Sequence, residues 1–153
     1  MANTYSKIYL HFVFSVKGRE NLIPPQHNDE LQKYITGIVH NRKIKLLVIN
    51  NMPDHVHLLV GFITTMSIAD FMEEVKGLSS KFINKKGWVR WKFEWQRGYG
   101  VFSYSQSQID QVIKYIENQQ IHHKRKDFRE EYLELLRKFE VDYDDCYLFD
   151  WIQ

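Results

Sequence analysis

The stretch IKLLVINNMPDHVHLLVGF, residues 44 to 62, holds two apolar runs with only the turn NMPD between them. So short a connection cannot return the chain to the same end of a sheet, as parallel pairing requires. IKLLVIN and HVHLLVGF therefore predict an antiparallel pair of strands. Upstream, KIYLHFVFSV alternates Ile8, Leu10, Phe12 and Phe14 with Tyr9, His11, Val13 and Ser15, the two-residue period of a central strand covered on both faces. Two further strand-like pieces, WKFEWQ and YGVFSYS, flank the turn RG.

Helical periods fill the intervals. Asp29 is placed to cap a helix through about His40, with Leu31, Tyr34, Ile35, Ile38 and Val39 on one stripe. Ser67 and Asp70 resemble a capping box ahead of Ile68, Phe71, Met72, Val75, Leu78 and Phe82, which predicts a second helix to about Lys85. SQIDQVIKYIENQQIHH predicts a third, within residues 106–125, and DFREEYLELLRKF a shorter fourth. Helices interleaved with an antiparallel hairpin predict an α+β sandwich with a ferredoxin-like (RRM-like) core: a mostly antiparallel sheet with helices on one face. With no repeat, low-complexity segment or long linker, residues 1–153 are expected to form a single domain, ending in an acidic segment at about residues 127–153.

Composition narrows the class of partner. A hydrophobic content of 44% with 15% aromatics argues for a folded chain, and no run of about 18 apolar residues exists to span a bilayer. The N-terminus MANTYSKIYLHFVF lacks the pattern of a secretory signal, and Cys146 is the only cysteine, so a cytoplasmic protein without a membrane partner is expected. The net charge of +2 conceals an asymmetry: residues 1–126 hold 18 Lys and Arg against 10 Asp and Glu, whereas residues 127–153 hold 3 against 9. A basic body favours a polyanionic partner through counterion release.

In a strand, residues i and i+2 share a face, so His55 and His57 stand side by side while Val56, Leu58 and Val60 face the other way. Two imidazoles on one rigid strand make a chelating pair for a divalent metal; a polar sheet face hydrogen-bonded to a neighbour is the other reading. Tyr115 and Gln119 lie one turn apart on the third helix, away from the stripe of Ile109, Val112, Ile113 and Ile116. Gln108, Gln111 and His122 share their side, a polar flank that faces either a site or solvent. Two imidazoles, an amide oxygen and a phenol together permit a metal-assisted attack of the hydroxyl on a phosphodiester. A free phenol has a pKa of about 10, so such a nucleophile needs a base or a nearby cation.

The segments MPDHVHLLV, YGVFSYS and VIKYIENQQIHHKR, in this order and at these separations, resemble the single-tyrosine HUH transposases of small bacterial insertion sequences, relatives of the transposases associated with repetitive extragenic palindromes. The similarity spans nearly the whole chain. It implies a DNA transposase with a ferredoxin-like fold that acts as a homodimer and cleaves and rejoins single-stranded DNA at hairpin-bearing ends through a 5′-phosphotyrosine. It further implies His55, His57 and Gln119 as ligands of Mg2+ or Mn2+ and Tyr115 as nucleophile, acting in its own subunit or its neighbour's. Two imidazoles by themselves lean toward manganese or another transition metal, since magnesium prefers all-oxygen octahedra.

Other residues carry weaker expectations. Asp54 either orients His55 or simply makes the turn. Lys17, Arg19, Lys76, Lys81 and Arg97, with Lys85 and Lys86, are candidate phosphate contacts or solvated cations. His122 and His123 are expected at DNA or in solvent rather than on the metal. RGYGVFSY nearly reproduces a signature of RNA-recognition motifs, but its closest companion, IYLHFV, lies almost 90 residues upstream, too far for one such module. A replication-initiating relaxase of the same chemistry is the other rival, disfavoured by the short chain and the absence of a second tyrosine near Tyr115.

Overall fold

A computed structural model describes residues 3–18 and 22–144. Strand β1 (Ile8–Ser15) leads through a 3-10 turn at Pro25–His27 into α1 (Asn28–Asn41); β2 (Lys45–Met52) and β3 (His55–Phe62) follow, then α2 (Ile68–Lys86), β4 (Gly100–Tyr104), α3 (Ile109–Glu117), α4 (Gln119–His122) and α5 (Phe128–Lys138). The four strands form one antiparallel sheet in the order β2-β3-β1-β4. As the alternation in KIYLHFVFSV predicts, β1 is central, flanked by β3 and β4.

One sheet face carries Phe12, Phe14, Leu58 and Val60 against Leu31 and Ile35 of α1 and Phe71 and Val75 of α2, all buried. Each such side chain contributes about 1.5–3 kcal/mol of transfer free energy, and this layer is the expected α+β sandwich. The Ser67 hydroxyl accepts from the Asp70 N–H at 3.0 Å and starts α2 as its sequence predicts. Asp29 does not cap α1: the 3-10 turn runs straight into the helix, so Asp29 falls in the first turn, where it pairs with Lys33 at 3.0 Å.

The second face is covered as well. Leu59 packs with Ile109, Val112 and Ile116 of α3, and Val13 and Phe102 pack with Phe128, Leu135 and Leu136 of α5. One face therefore holds α1 and α2, as expected, and the tyrosine helix and the acidic helix occupy the other. Between the two apolar patches of this second face runs a polar seam. Register sets it: His11 opposes Leu59, Val13 opposes His57 and Ser15 opposes His55, so the three histidines share this face.

Two expected elements differ. WKFEWQ is not a strand: only Trp95 bridges, to Val16. Two backbone bonds go with that bridge, from the Lys17 N–H to the Glu94 carbonyl at 2.9 Å and from the Gln96 N–H to the Ser15 carbonyl at 2.8 Å, and side chains hold Phe93: the Asn84 amide donates to its carbonyl at 3.0 Å and accepts from its N–H at 2.7 Å. The alternation of Phe93 and Trp95 reports burial in a tethered loop, where Trp95 meets Phe14 and donates to Ser79 Oγ at 2.9 Å. The third helix is broken rather than continuous, with Asn118 at φ −95 and ψ 20 between α3 and α4.

Candidate active site

His55 and His57 open β3, directly after the Pro53–Asp54 turn, and both are fully buried. Tyr115 lies in the last turn of α3 and Gln119 begins α4. Asn50 of β2, paired with His57 in register, explains the break between these helices: its Nδ2 donates to the Ile116 carbonyl at 2.9 Å, the Glu117 carbonyl at 3.3 Å and Gln120 Oε1 at 2.9 Å. Carbonyls left without partners at the end of α3 are thus satisfied from the sheet. The turn that follows carries Gln119 into the protein, fully buried.

Glu131 of α5 joins these groups. Its Oε1 accepts from His57 Nε2 at 3.0 Å, His55 Nε2 at 3.3 Å and His123 Nε2 at 3.1 Å. Its Oε2 accepts from Gln119 Nε2 at 2.9 Å and from the Tyr115 hydroxyl. Gln119 Oε1 in turn accepts from His123 Nε2 at 2.9 Å and lies 3.3 Å from His55 Nε2. Behind them, His55 Nδ1 donates to Asp54 Oδ1 at 2.6 Å, His57 Nδ1 faces His11 Nε2 at 2.7 Å, and Phe128 stacks on the His55 ring at 4.2 Å. Cavities of about 310 and 360 Å³ open beside the Tyr115 and Glu131 pair, the first lined by Tyr104, Gln108 and Gln111, the second by His122, Arg125 and Lys126.

Electrostatics follow from this packing. Burial disfavours the charged form of His55, but the hydrogen bonds and charges of Asp54 and Glu131 outweigh it and raise its pKa to about 9. Burial likewise opposes ionisation of Glu131, yet hydrogen bonds from His123, His55 and His57 hold it well below the usual carboxylate range. Burial lowers His57 and His11, so both rings are neutral near pH 7. Tyr115 is pushed far above a free phenol, first by burial and then by the charge of Glu131. The phenol is thus held protonated beside an anion.

The donor atoms of His55, His57 and Glu131 lie within 4.8 Å of one another, all buried, so they can hold a metal ion. Two imidazole nitrogens and a carboxylate oxygen, with an amide oxygen alongside, fit a divalent cation of the manganese type. A carboxylate on one imidazole and a second imidazole on the other are the kind of outer support that ligating histidines have.

The structure brings His55, His57, Gln119, Tyr115 and Asp54 together. Asp54 does contact His55. His123, expected at DNA or in solvent, instead bonds Gln119 and Glu131, because the break at Asn118 turns it inward; His122 is exposed, its ring 5.1 Å from that of Tyr115. Lys76 donates to the Gln96 and Gly98 carbonyls at 2.7 and 2.8 Å, and burial lowers its pKa to about 8, so it braces the loop before β4. Lys17 lies 3.8 Å from Glu94, and Lys81 and Arg97 are exposed. Arg19 and Cys146 lie outside the described residues.

Glu131 escapes the sequence reading, although a signal exists: with Phe128, Tyr132, Leu135 and Leu136 it occupies the apolar stripe of α5, where a carboxylate is out of place unless it has partners. His11 carries a similar signal as the one ionisable residue in the covered core of β1.

Comparisons with known proteins agree with this architecture. The family model for IS200-like transposases matches residues 4–119. ISDra2 transposase TnpA of Deinococcus radiodurans is 28% identical over 116 residues, which cover 71% of this chain and 81% of that protein. A crystal structure from D. radiodurans R1 assigned as a transposase superposes with a TM-score of 0.62 at 26% identity, covering 78% of this chain and 95% of that one. The fold is shared too with a REP-associated tyrosine transposase bound to a REP hairpin, with a TM-score of 0.59 at 15% identity over 80% of this chain and 73% of that one. Among the described residues, no helix is long and apolar enough to cross a membrane. With most of its length matched by the family model, the chain belongs to the family of IS200-like transposases.

Proposed function

We propose that this transposase cleaves and rejoins single-stranded DNA at the ends of an insertion sequence, with Tyr115 as the nucleophile. The observation that carries this reading is the bond from the Tyr115 hydroxyl to Glu131, whose other oxygen meets both imidazoles of β3. The phenolic oxygen, held in place by its hydrogen bond to Glu131, attacks phosphorus as its proton passes to water; the bond from phosphorus to the 3′ oxygen breaks, and that oxygen takes a proton from water and leaves as a hydroxyl. The product is a 5′-phosphotyrosine, which conserves the bond energy for rejoining.

His55, His57, Glu131 and Gln119 would hold a divalent ion, Mg2+ or Mn2+. Once bound, it supplies positive charge to a non-bridging phosphate oxygen and stabilises the phenolate. His55 and His57 must present bare Nε2 atoms to it, so the proton that His55 carries near pH 7 leaves first. Asp54 and Phe128 hold the His55 ring against rotation.

The cavity lined by His122, Arg125 and Lys126 suits a phosphate backbone, and the one lined by Tyr104, Gln108 and Gln111 suits a base, which places a strand across the tyrosine. Lys81 and Arg97 are further candidate phosphate contacts. Because Tyr115 already contacts its own chain's cluster, we take it to act within its own subunit. Hairpin-bearing DNA as the substrate draws support from the hairpin-bound relative. A homodimer, with residues 1–153 as one transposase domain in each subunit, rests on the resemblance of the motifs.

The test is incubation of the protein with labelled single-stranded DNA and Mn2+, followed by denaturing electrophoresis. A covalent adduct that disappears in Tyr115→Phe and on chelation is expected. Cut product without adduct would make the protein a hydrolase, and a purely reversible complex would make it a binding module.

A further inference from the structure

The buried histidine of β1 has no part in the mechanism above. His11 Nε2 lies 2.7 Å from His57 Nδ1, both rings fully buried, while His11 Nδ1 has no hydrogen-bond partner among the described residues. The rings are nearly parallel, 23° apart, and His11 is itself walled by Phe102 and Tyr104 at 6.2 and 6.1 Å. Fully buried, a polar ring with one idle nitrogen is costly unless its other nitrogen has a job.

We infer that His11 is a positioning residue for His57: it aims the Nε2 of that ring at the ion site and controls which of its nitrogens carries the proton. The inference rests on the metal-dependent reading proposed above.

Only one proton fits between the facing nitrogens. In the ion-free protein, His57 Nε2 donates to Glu131 Oε1 at 3.0 Å, so a neutral His57 accepts at Nδ1 from His11 Nε2–H, and the idle His11 Nδ1 is a bare lone pair. Binding an ion requires the reverse. His57 must then carry its proton on Nδ1 and donate it to His11 Nε2, while His11 holds its own proton on Nδ1. The pair has two protons before and after: the one displaced from His57 Nε2 is balanced by the one gained at His11 Nδ1. A phenylalanine at position 11 could pack there but would leave His57 Nδ1–H without an acceptor.

The inference is tested by Mn2+ titration calorimetry on wild type and on His11→Phe, His11→Gln and His11→Asn. Outer-shell partners of ligating histidines are worth roughly 10- to 100-fold in metal affinity, and a loss of that order is expected for Phe. Gln places an amide oxygen near the Nε2 position and should recover most of the loss; Asn reaches only the Nδ1 position and should not. A purely structural role would lower thermal stability in all three without ranking their affinities this way. 15N NMR of the histidine rings in wild type provides a second measurement that does not depend on the folding of a variant. His57 and His11 should both be protonated on Nε2 without metal and on Nδ1 with saturating Mg2+. Equal Mn2+ affinity in folded His11→Phe, or unchanged ring protonation on Mg2+ binding, overturns the inference. Wild type that binds no divalent ion at all overturns instead the reading on which it rests.

Discussion

The Tyr115 hydroxyl donates to Oε2 of Glu131, and Oε1 of the same carboxylate lies 3.0 Å from Nε2 of His57. One side chain of α5 thus touches the candidate nucleophile and the candidate ion ligands together. Its negative charge explains how the two are coupled. While that charge is unopposed, it helps to hold the phenol protonated; on the metal-dependent reading, a cation on the imidazoles would cancel it and favour ionisation of the hydroxyl. Glu131→Gln keeps an acceptor but removes the charge. In ultraviolet titration, read against Tyr115→Phe, the Tyr115 phenol should ionise at a lower pH in this variant than in wild type. Mn2+ affinity should fall by at least roughly tenfold, the lower end of what losing even a supporting residue costs. An unchanged phenol titration would show that the carboxylate does not govern the nucleophile.

Stability of the metal-free protein should depend on pH through His55. Its folded pKa of about 9 lies above the ordinary 6.5, so its contribution is fully present below about pH 6.5 and is lost as pH rises through about 9. Between about pH 6.5 and 8 the unfolding free energy should drop by about 1.4 kcal/mol per pH unit. Above about pH 8 the lowered pKa of the half-exposed Lys76 acts in the opposite direction and flattens the curve. Urea unfolding in the presence of a chelator measures the slope, and Asp54→Asn, which removes the closest partner of the imidazolium, should make it shallower. A flat profile in wild type would mean that His55 is neutral at pH 7.

How legible the site was in sequence depends on what sets each residue's position. His55 and His57 are fixed by the period of one strand, and Tyr115 and Gln119 by one helical turn, so local spacing suffices for them. Glu131 reaches His57 across 74 residues, and only its misfit on an apolar stripe marks it beforehand. His123 lies one turn beyond Gln119, so the same spacing puts it on that residue's face; what sequence does not show is that this face turns inward at Asn118, where the partner is Asn50, a β2 residue distant in sequence. WKFEWQ has a strand's alternation, but side-chain bonds from Asn84 and Lys76 take up backbone groups of this loop that a ladder would otherwise use. The antiparallel hairpin and the central β1 were readable because both follow from apolar patterning alone.

Gly100 offers a test of how α5 is docked. A Cβ built on it would lie 2.8 Å from the Tyr132 hydroxyl and 2.9 Å from Cε1 of the same ring, closer than packed carbon allows. Gly100→Ala should therefore push Tyr132, and α5 with it, away from β4, at about 1–3 kcal/mol of stability. Since Glu131 neighbours Tyr132, Mn2+ affinity should weaken in parallel. Adding Tyr132→Leu, which removes the obstructing ring, should recover part of both. Loss of stability without any change in affinity would show that the carboxylate keeps its place when the helix shifts.

Neighbouring asparagines on β2 separate support of the site from support of the fold. Asn51 faces α1, where Gln32 Nε2 donates to its Oδ1 at 2.7 Å and its Nδ2 donates to Asn28 Oδ1 at 2.9 Å. Asn50 faces α3 and satisfies the Ile116 and Glu117 carbonyls that precede Gln119. Each substitution by alanine leaves partly or fully buried polar groups unpaired, which costs up to about 1–3 kcal/mol, so both variants should unfold at lower urea concentrations. Only Asn50→Ala releases the turn that carries Gln119 and His123 inward. Its Mn2+ affinity and its yield of covalent DNA adduct should fall, whereas Asn51→Ala, compared under conditions where both are folded, should keep both near wild type. Equal losses of affinity in the two would mean that the break at Asn118 is maintained by α3 and α4 themselves, and that Asn50 contributes stability alone.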